Sequence, residues 1–191
     1  MTNPLIERLQ SMRPIPAGDR ELIGEAWQAR SYEEGDDLFR GGTVCRELFF
    51  ICDGILRIVM TNEEGEERTH FFLKENQFCT ILRSFENQTA AEERIQAACK
   101  ATVSAITRDR LLGLYAEIPY LQLLIDRLIH HGLLDKITIR NSYLGHDAAA
   151  RYKLFLTQQP DIASRVSLSD IASYLGITPQ SLSRIRRTSI K

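Results

Sequence analysis

Short apolar runs separated by turn residues fill the first half of this chain, and helical apolar stripes fill the second. From Ser31 to about Ile106 the runs read GDDLF, GGTV, LFFICDGILRIVM, RTHFFL, KENQF and IQAACKATVSAI. Runs of this length and spacing predict an antiparallel sandwich or barrel. Gly41-Gly42, Asp53-Gly54 and Glu64-Gly65 supply the hairpin or corner positions, because glycine takes positive φ at little cost. Ahead of them the pattern predicts one amphipathic helix, ELIGEAWQAR, with Asp19 as its cap.

Helical periodicity returns near Arg108. Between about Ile118 and Tyr143, Leu121, Leu124, Ile125, Leu128, Ile129, Leu133 and Ile137 form a broad apolar stripe interrupted by Gly132. A stripe this long packs either on its own sandwich or on a second copy of itself. A shorter helix, DAAARYKLFLTQQP, stops near Pro160 and leaves PDIASR as a connector.

The segment from Val166 to Arg187, VSLSDIASYLGITPQSLSRIRR, carries the most specific pattern. Leu168, Ile171, Ala172 and Leu175 share one face of a first short helix, Gly176 makes the turn, and Leu182 and Ile185 point inward from a second helix. Ser167 or Ser169 caps the first helix, with Asp170 near its positive end. Thr178 caps the second, where Pro179 at the first helical position forfeits no hydrogen bond. Such a helix-turn-helix places Gln180, Ser181, Ser183, Arg184 and Arg187 on the outward face. Gln pairs with adenine and Arg with guanine in the major groove, while hydroxyls bind phosphate or bases. A helical hairpin with Ala and Gly at its crossing also occurs in proteins that never touch DNA. Here the turn, the cap, the polar outer face and the basic end agree on DNA.

Charge sharpens this picture. From Arg165 onward five cations face one anion, a formal +4, so with a whole-chain charge of −1 the part before Arg165 is −5. The electrostatic footprint for phosphate therefore lies on the end that carries the motif. The 191 residues, 43% hydrophobic and 26% charged, suit a globular protein of one large or two small domains. No apolar run approaches the roughly 18–20 residues of a membrane span, and MTNPLIERLQSMR lacks a secretory layout, so a cytoplasmic protein is expected. Cys45, Cys52, Cys79 and Cys99 form no CxxC pair and read as packing residues. His70, His130, His131 and His146 have no evident metal partner. Neither a GxSxG elbow, a P-loop nor an HExxH occurs, and the charge runs TNEEGEER and AAEER read as solvated, so no enzyme is expected.

Sandwich, long helix and helix-turn-helix, in this order, resemble the CRP/FNR superfamily of transcription regulators over nearly the whole chain. YEEGDDLFRGGTVCRELFFICDGILRIV resembles the opening strands of a cyclic-nucleotide-binding β-roll, and ASYLGITPQSLSRIRR resembles the family's recognition unit. RYKLFLTQQPDIASRVSLSDIASYLGI is similar to the short members found in Bacteroidetes. The resemblance implies an α+β fold: an antiparallel β-roll (jelly roll) with its helix over residues 1–115, a dimerisation helix over 116–145 and a helix-turn-helix domain over 146–191. It implies a homodimer with Leu121, Leu124, Ile125 and Leu128 at the seam, reading a palindromic operator in double-stranded DNA. By position in the motif, Gln180 and Arg184 contact bases, and Ser169, Thr178 and Ser181 lie near phosphates, with Arg187 also contacting DNA. RNA polymerase and an unidentified small-molecule effector are the further partners it suggests.

The effector cassette departs from the family pattern. Members that bind cyclic AMP hold the ribose with Gly-Glu and the cyclic phosphate with Arg-Ser. This chain reads NQFCTILRSFENQTAAEERIQAAC there, with Ala91 and Glu92 at the Arg-Ser positions and no Gly-Glu before Thr80. A carboxylate repels a phosphate, and the charge-assisted Arg contact is missing. Arg94 falls on the opposite face of its strand from Ala91, and Arg83 sits on a short helical turn of unassigned direction. No cofactor is expected, cyclic AMP is not the expected effector, and Phe72, Phe78, Ile81 and Leu82 are expected to surround an apolar ligand or to fill the pocket themselves. The alternative function is a small-molecule-sensing or protein-interaction module whose DNA motif is vestigial.

Overall fold

A computed structural model describes residues 3–62 and 65–189. Glu63 and Glu64 of the expected turn, and Lys191 of the basic end, lie outside the described residues. Helices α1 (Pro4–Gln10) and α2 (Ala17–Ala26) come first. The strands are β1 (Gln28–Tyr32), β2 (Asp37–Phe39), β3 (Thr43–Val44), β4 (Glu47–Asp53), β5 (Leu56–Thr61), β6 (Glu67–Leu73), β7 (Phe78–Cys79), β8 (Ala90–Ala91), β9 (Arg94–Ala97) and β10 (Ala101–Thr107), with α3 (Leu82–Asn87) between β7 and β8. Then follow α4 (Arg108–Glu117), α5 (Pro119–Ser142), α6 (Ala148–Gln158), α7 (Pro160–Arg165), α8 (Leu168–Leu175) and α9 (Pro179–Ser189).

The expected sandwich consists of two four-stranded antiparallel sheets, ordered β1-β10-β4-β7 and β2-β9-β5-β6, with β3 paired to β8 at one end. Its unbroken apolar run LFFIC has a direct cause. Successive side chains of a strand point to opposite faces, and in β4 both faces are buried. Phe49 and Ile51 join Leu56, Ile95 and Val103 between the sheets. Leu48 and Phe50 turn outward into a second core built with Leu5, Leu9, Ile23, Trp27, Leu111 and Leu121 from the helices. The other sheet repeats the arrangement, because Phe72 of β6, with Ile55 just before β5 and Ala98 just after β9, packs against Tyr152, Phe155, Ile162 and Leu175 of the carboxy-terminal helices.

Several expectations change. The chain forms α1 ahead of the expected first helix, with Asn3 Oδ1 accepting from the Leu5 N–H at 3.0 Å. Asp19 is not a cap; it lies in the first turn of α2, whose cap position is Pro16, and its carboxylate accepts from the Tyr120 hydroxyl. The run IQAACKATVSAI divides into β9 and β10 on different sheets. The connector PDIASR is itself the helix α7, started by Pro160 at its first position. Among the turns, Gly54 is the most constrained. Its φ is +98°, and a Cβ there would lie 2.5 Å from both the Ala101 Cα and the Lys100 carbonyl oxygen.

Gly54→Ala should therefore lower stability by at least the roughly 1–3 kcal/mol of an L-residue held at positive φ, read as a fall in thermal midpoint. An unchanged midpoint would show that the β4–β5 turn tolerates a side chain.

Candidate nucleic-acid interface

Local chemistry builds the expected helix-turn-helix. Ser167 caps α8, its Oγ accepting from the Asp170 N–H at 3.1 Å, and the Ser169 hydroxyl sits 2.8 Å from that of Ser167. Gly176 ends α8 at φ +66°, in the left-handed conformation that costs glycine least. Thr178 Oγ1 then accepts from the Ser181 N–H at 3.1 Å and donates to the Ser181 hydroxyl at 2.9 Å, starting α9 at Pro179. Ile171, Ala172, Leu175 and Leu182 form a buried crossing with Tyr152 and Phe155 of α6. Leu168, expected to point inward, is instead 38% exposed. It stands in the first turn, before the crossing begins.

The candidate contact residues emerge on the solvent side. Ser169, Thr178, Gln180, Ser183, Arg184 and Arg187 are exposed, and Ser181 is half-buried beside Thr178. Arg184 and Arg187 follow Gln180 along one helix at intervals of four and three residues, so the three share a face. That face offers one amide and two guanidinium groups.

The helix-turn-helix is not tethered loosely to the roll. Arg57 of β5 forms an ion pair with Asp170 of α8, both only 15% and 13% exposed. The same guanidinium donates to Thr69 Oγ1 at 3.1 Å and to Gln96 Oε1 at 2.9 and 2.6 Å. Beside it, the Thr69 N–H of β6 donates to Ser173 Oγ of α8 at 2.9 Å. Arg165 at the end of α7 reaches Glu75 at 2.7 Å. Burial pushes the Glu75 carboxyl up, but its backbone hydrogen bonds and Arg165 outweigh that effect and hold it below its ordinary value. Phe72 sits 5.1 Å from the Tyr174 ring and 6.4 Å from that of Phe155. The sequence places Asp170 only at a helix start; nothing in it pairs residues 57 and 170.

The four residues expected at the dimer seam sit inside this chain's own core. Leu121 and Ile125 are fully buried and Leu124 and Leu128 nearly so, all within the chain's own helical core. A side chain already removed from water gains almost nothing from a second burial, so these four anchor α5 to the roll. The stripe left in solvent is the opposite one, with Leu123, Leu134 and Ile137 between 45% and 55% exposed.

A cavity of about 200 Å³ lies between the roll and α5, lined by Phe71, Phe78, Ile81 and Leu133 together with Arg83, Glu93 and Lys136. The apolar side chains thus narrow the pocket without filling it. Phe78, Ile81 and Leu82 line it as expected, whereas Phe72 points to the other face and packs under the helix-turn-helix. Burial lowers the Lys136 pKa, and burial followed by Arg140 lowers that of His70, against the opposing pull of Glu93. The residues do not fit a cyclic phosphate held in the family's manner. Ala91 is buried in the β3–β8 ladder, Glu92 is exposed, and Arg94 is committed to Glu67 at 2.8 Å. No group of three or more His, Cys, Asp or Glu among the described residues is placed to hold a metal. The four cysteines are free thiols, Cys45 and Cys79 buried and Cys52 and Cys99 half-buried.

Comparison with known proteins decides the type of roll. Residues 29–117 match the family described as cyclic nucleotide-binding domain. The match covers the cyclic nucleotide-binding roll through α4. Over nearly the whole chain the structure is similar to the c-di-GMP responsive global regulator CLP of Xanthomonas campestris, with 19% identity, 91% of each chain covered and a TM-score of 0.71. It is also similar to a transcriptional regulator of the crp/fnr family from Eubacterium rectale (18% identity, 91% of this chain and 83% of that one, TM-score 0.65). A third similar structure is the catabolite activator protein of Thermus thermophilus (20% identity, 97% and 86%, TM-score 0.55). No curated protein sequence matches the chain. The fold is thus α+β, a roll of the cyclic nucleotide-binding type followed by a long helix and a carboxy-terminal helical region like that of CRP. No helix among the described residues is long and apolar enough to cross a membrane.

Asp170→Ala leaves the Arg57 guanidinium partly buried and short of its charged partner, so it should cost about 1.5–3 kcal/mol. Thermal unfolding checks this, and a midpoint equal to that of the parent would remove the ion pair from the forces that hold the helix-turn-helix to the roll.

Proposed function

We propose that this protein is a dimeric, sequence-specific DNA-binding transcription regulator, not an enzyme, that works in the cytoplasm without cyclic AMP. The observation that carries the reading is the exposed face of α9, where Gln180, Arg184 and Arg187 project from a capped helix-turn-helix. Gln180 and Arg184 read base edges. Ser169, Thr178, Ser181 and Arg187 lie along the phosphates. The similarity of the whole fold to regulators supports the reading.

Two copies meet through the solvent stripe of α5. Leu123, Leu134 and Ile137 are separated by eleven and three residues, spacings that return to one side of a helix opposite the buried Leu121 and Ile125. Two-fold symmetry then sets the two recognition helices about 34 Å apart, one turn of DNA, and makes the operator palindromic. Contact with RNA polymerase follows from the regulator role. The cavity beside Arg83 and Lys136 takes a small-molecule effector other than cyclic AMP, because Ala91 and Glu92 supply no cation at the positions expected for the cyclic phosphate.

Selection of genomic fragments by the purified protein should enrich a palindrome. Arg184→Ala should cost about 1–3 kcal/mol and relax specificity at one base position, while Arg187→Ala weakens all sequences alike. Equal losses on operator and random DNA for both variants would take Arg184 off the bases, and no DNA affinity at low salt would reduce the protein to a sensing module. Leu134→Glu and Ile137→Glu should each give folded monomers in sedimentation, whereas a persisting dimer would place the seam elsewhere.

A further inference from the structure

Helix α5 carries a glycine where its own packing requires none. Gly132 lies inside α5 in helical backbone, not at positive φ, and a Cβ built on it would meet no atom within 4 Å. Glycine weakens a helix interior, and here it neither relieves a clash nor turns the chain. What the missing side chain leaves is room. Gly132 lines the cavity of about 200 Å³ between the roll and α5, a space over ten times the roughly 10–15 Å³ that one water needs. One turn on, Lys136 lines the same cavity, since residues four apart share a helix face. Its half-buried ammonium sits 5.5 Å from the Phe71 ring and makes no salt bridge among the described residues. Arg83 is the other Lys or Arg among the described lining residues, and Glu93 is their one carboxylate. Burial lowers the pKa of His70 and favours its neutral form. Two cations against one carboxylate leave a single positive charge, set among Phe71, Phe78, Ile81 and Leu128.

We propose that this cavity binds a small monocarboxylic acid with an apolar body, its carboxylate on Lys136 and its body over Gly132. A monoanion neutralises the lining, whereas the second charge of a phosphate monoester would stand unpaired near Glu93. Burial lowers the Lys136 pKa, and a carboxylate beside it returns the ammonium to its charged form. Exposed Arg83 also lines the neighbouring cavity that runs past Met60 and Thr89, so it stands at the mouth and draws anions toward it. This ligand class rests on the reading of the cavity as the effector site and narrows it.

The test titrates the full-length protein calorimetrically with butanoate, hexanoate and octanoate, and with the matching primary amides, which share the apolar body and lack the charge. Saturable binding is expected for at least one carboxylate, about tenfold or more tighter than for its amide. Lys136→Met keeps the apolar stem, so it should lower carboxylate affinity about tenfold or more and leave the amide unchanged, and Lys136→Arg should restore most of the loss. Gly132→Leu should abolish binding of both compounds with a thermal midpoint at or above that of the parent, because leucine favours a helix over glycine. The Lys136 pair keeps the test valid where Gly132→Leu fails to fold. Amides that bind as tightly as the carboxylates, and are lost in Gly132→Leu, overturn the carboxylate while the effector site stands. Carboxylate binding that survives Gly132→Leu, or no saturable binding of any of these compounds, overturns the proposal and takes the effector from this cavity with it.

Discussion

Adjacent residues of β4 point to opposite sides of its sheet, and neither side meets water. Phe49 and Ile51 fill the space between the sheets while Leu48 and Phe50 support the helical layer of α1, α2, α4 and α5. The second sheet and the turn before β5 do the same, sending Phe72 and Ile55 into the core of the carboxy-terminal helices. A sandwich with one wetted face would leave the helices without a seat. Because each outer face is apolar at this place, the long helix lies on one sheet and the helix-turn-helix on the other. Each large apolar side chain so buried contributes about 1.5–3 kcal/mol, and the positions of all later elements follow from it.

That seating divides α5 between two tasks. Its Leu121–Leu128 side belongs to the roll, and only the opposite stripe remains for another molecule. Helix α8 is likewise fixed by two kinds of force. Phe72 and Phe155 provide apolar contact without direction, while Arg57, shared among Asp170, Thr69 and Gln96, imposes a single orientation. The exposed face of α9 inherits that orientation through the Leu175–Leu182 crossing. A cleft bordered by Arg68, Arg140 and Arg151 opens at the same junction, where the roll, the end of α5 and the helix-turn-helix meet.

Much of the fold was legible from residue order. Gly176, Thr178 and Pro179 announce the turn and the start of α9 through backbone and capping chemistry that acts over four residues. The exposed polar face of α9 was legible for the same reason, since an amphipathic helix carries its own inside and outside. The limits were equally physical. IQAACKATVSAI reads as a single apolar run, yet it crosses from one sheet to the other at Ala98–Lys100. Asp19 stands where a cap is plausible, but the Tyr120 hydroxyl from a helix a hundred residues later engages its carboxylate inside the first turn.

Sequence alone determined the local devices: strand alternation, helix starts and stops, the glycine corners, and the polar outer face of α9. These depend on neighbours within one or two turns, whose spacing is written directly in the chain. The tertiary structure decided which apolar stripe of α5 is internal, where Phe72 points, that Arg57 finds Asp170, and that Arg140 and Arg151 border one cleft with no carboxylate among the described residues. Each of these choices is a pairing between distant segments. Apolar burial has no preferred partner until packing brings one face against another, and only then do the charges find, or lack, their counterparts.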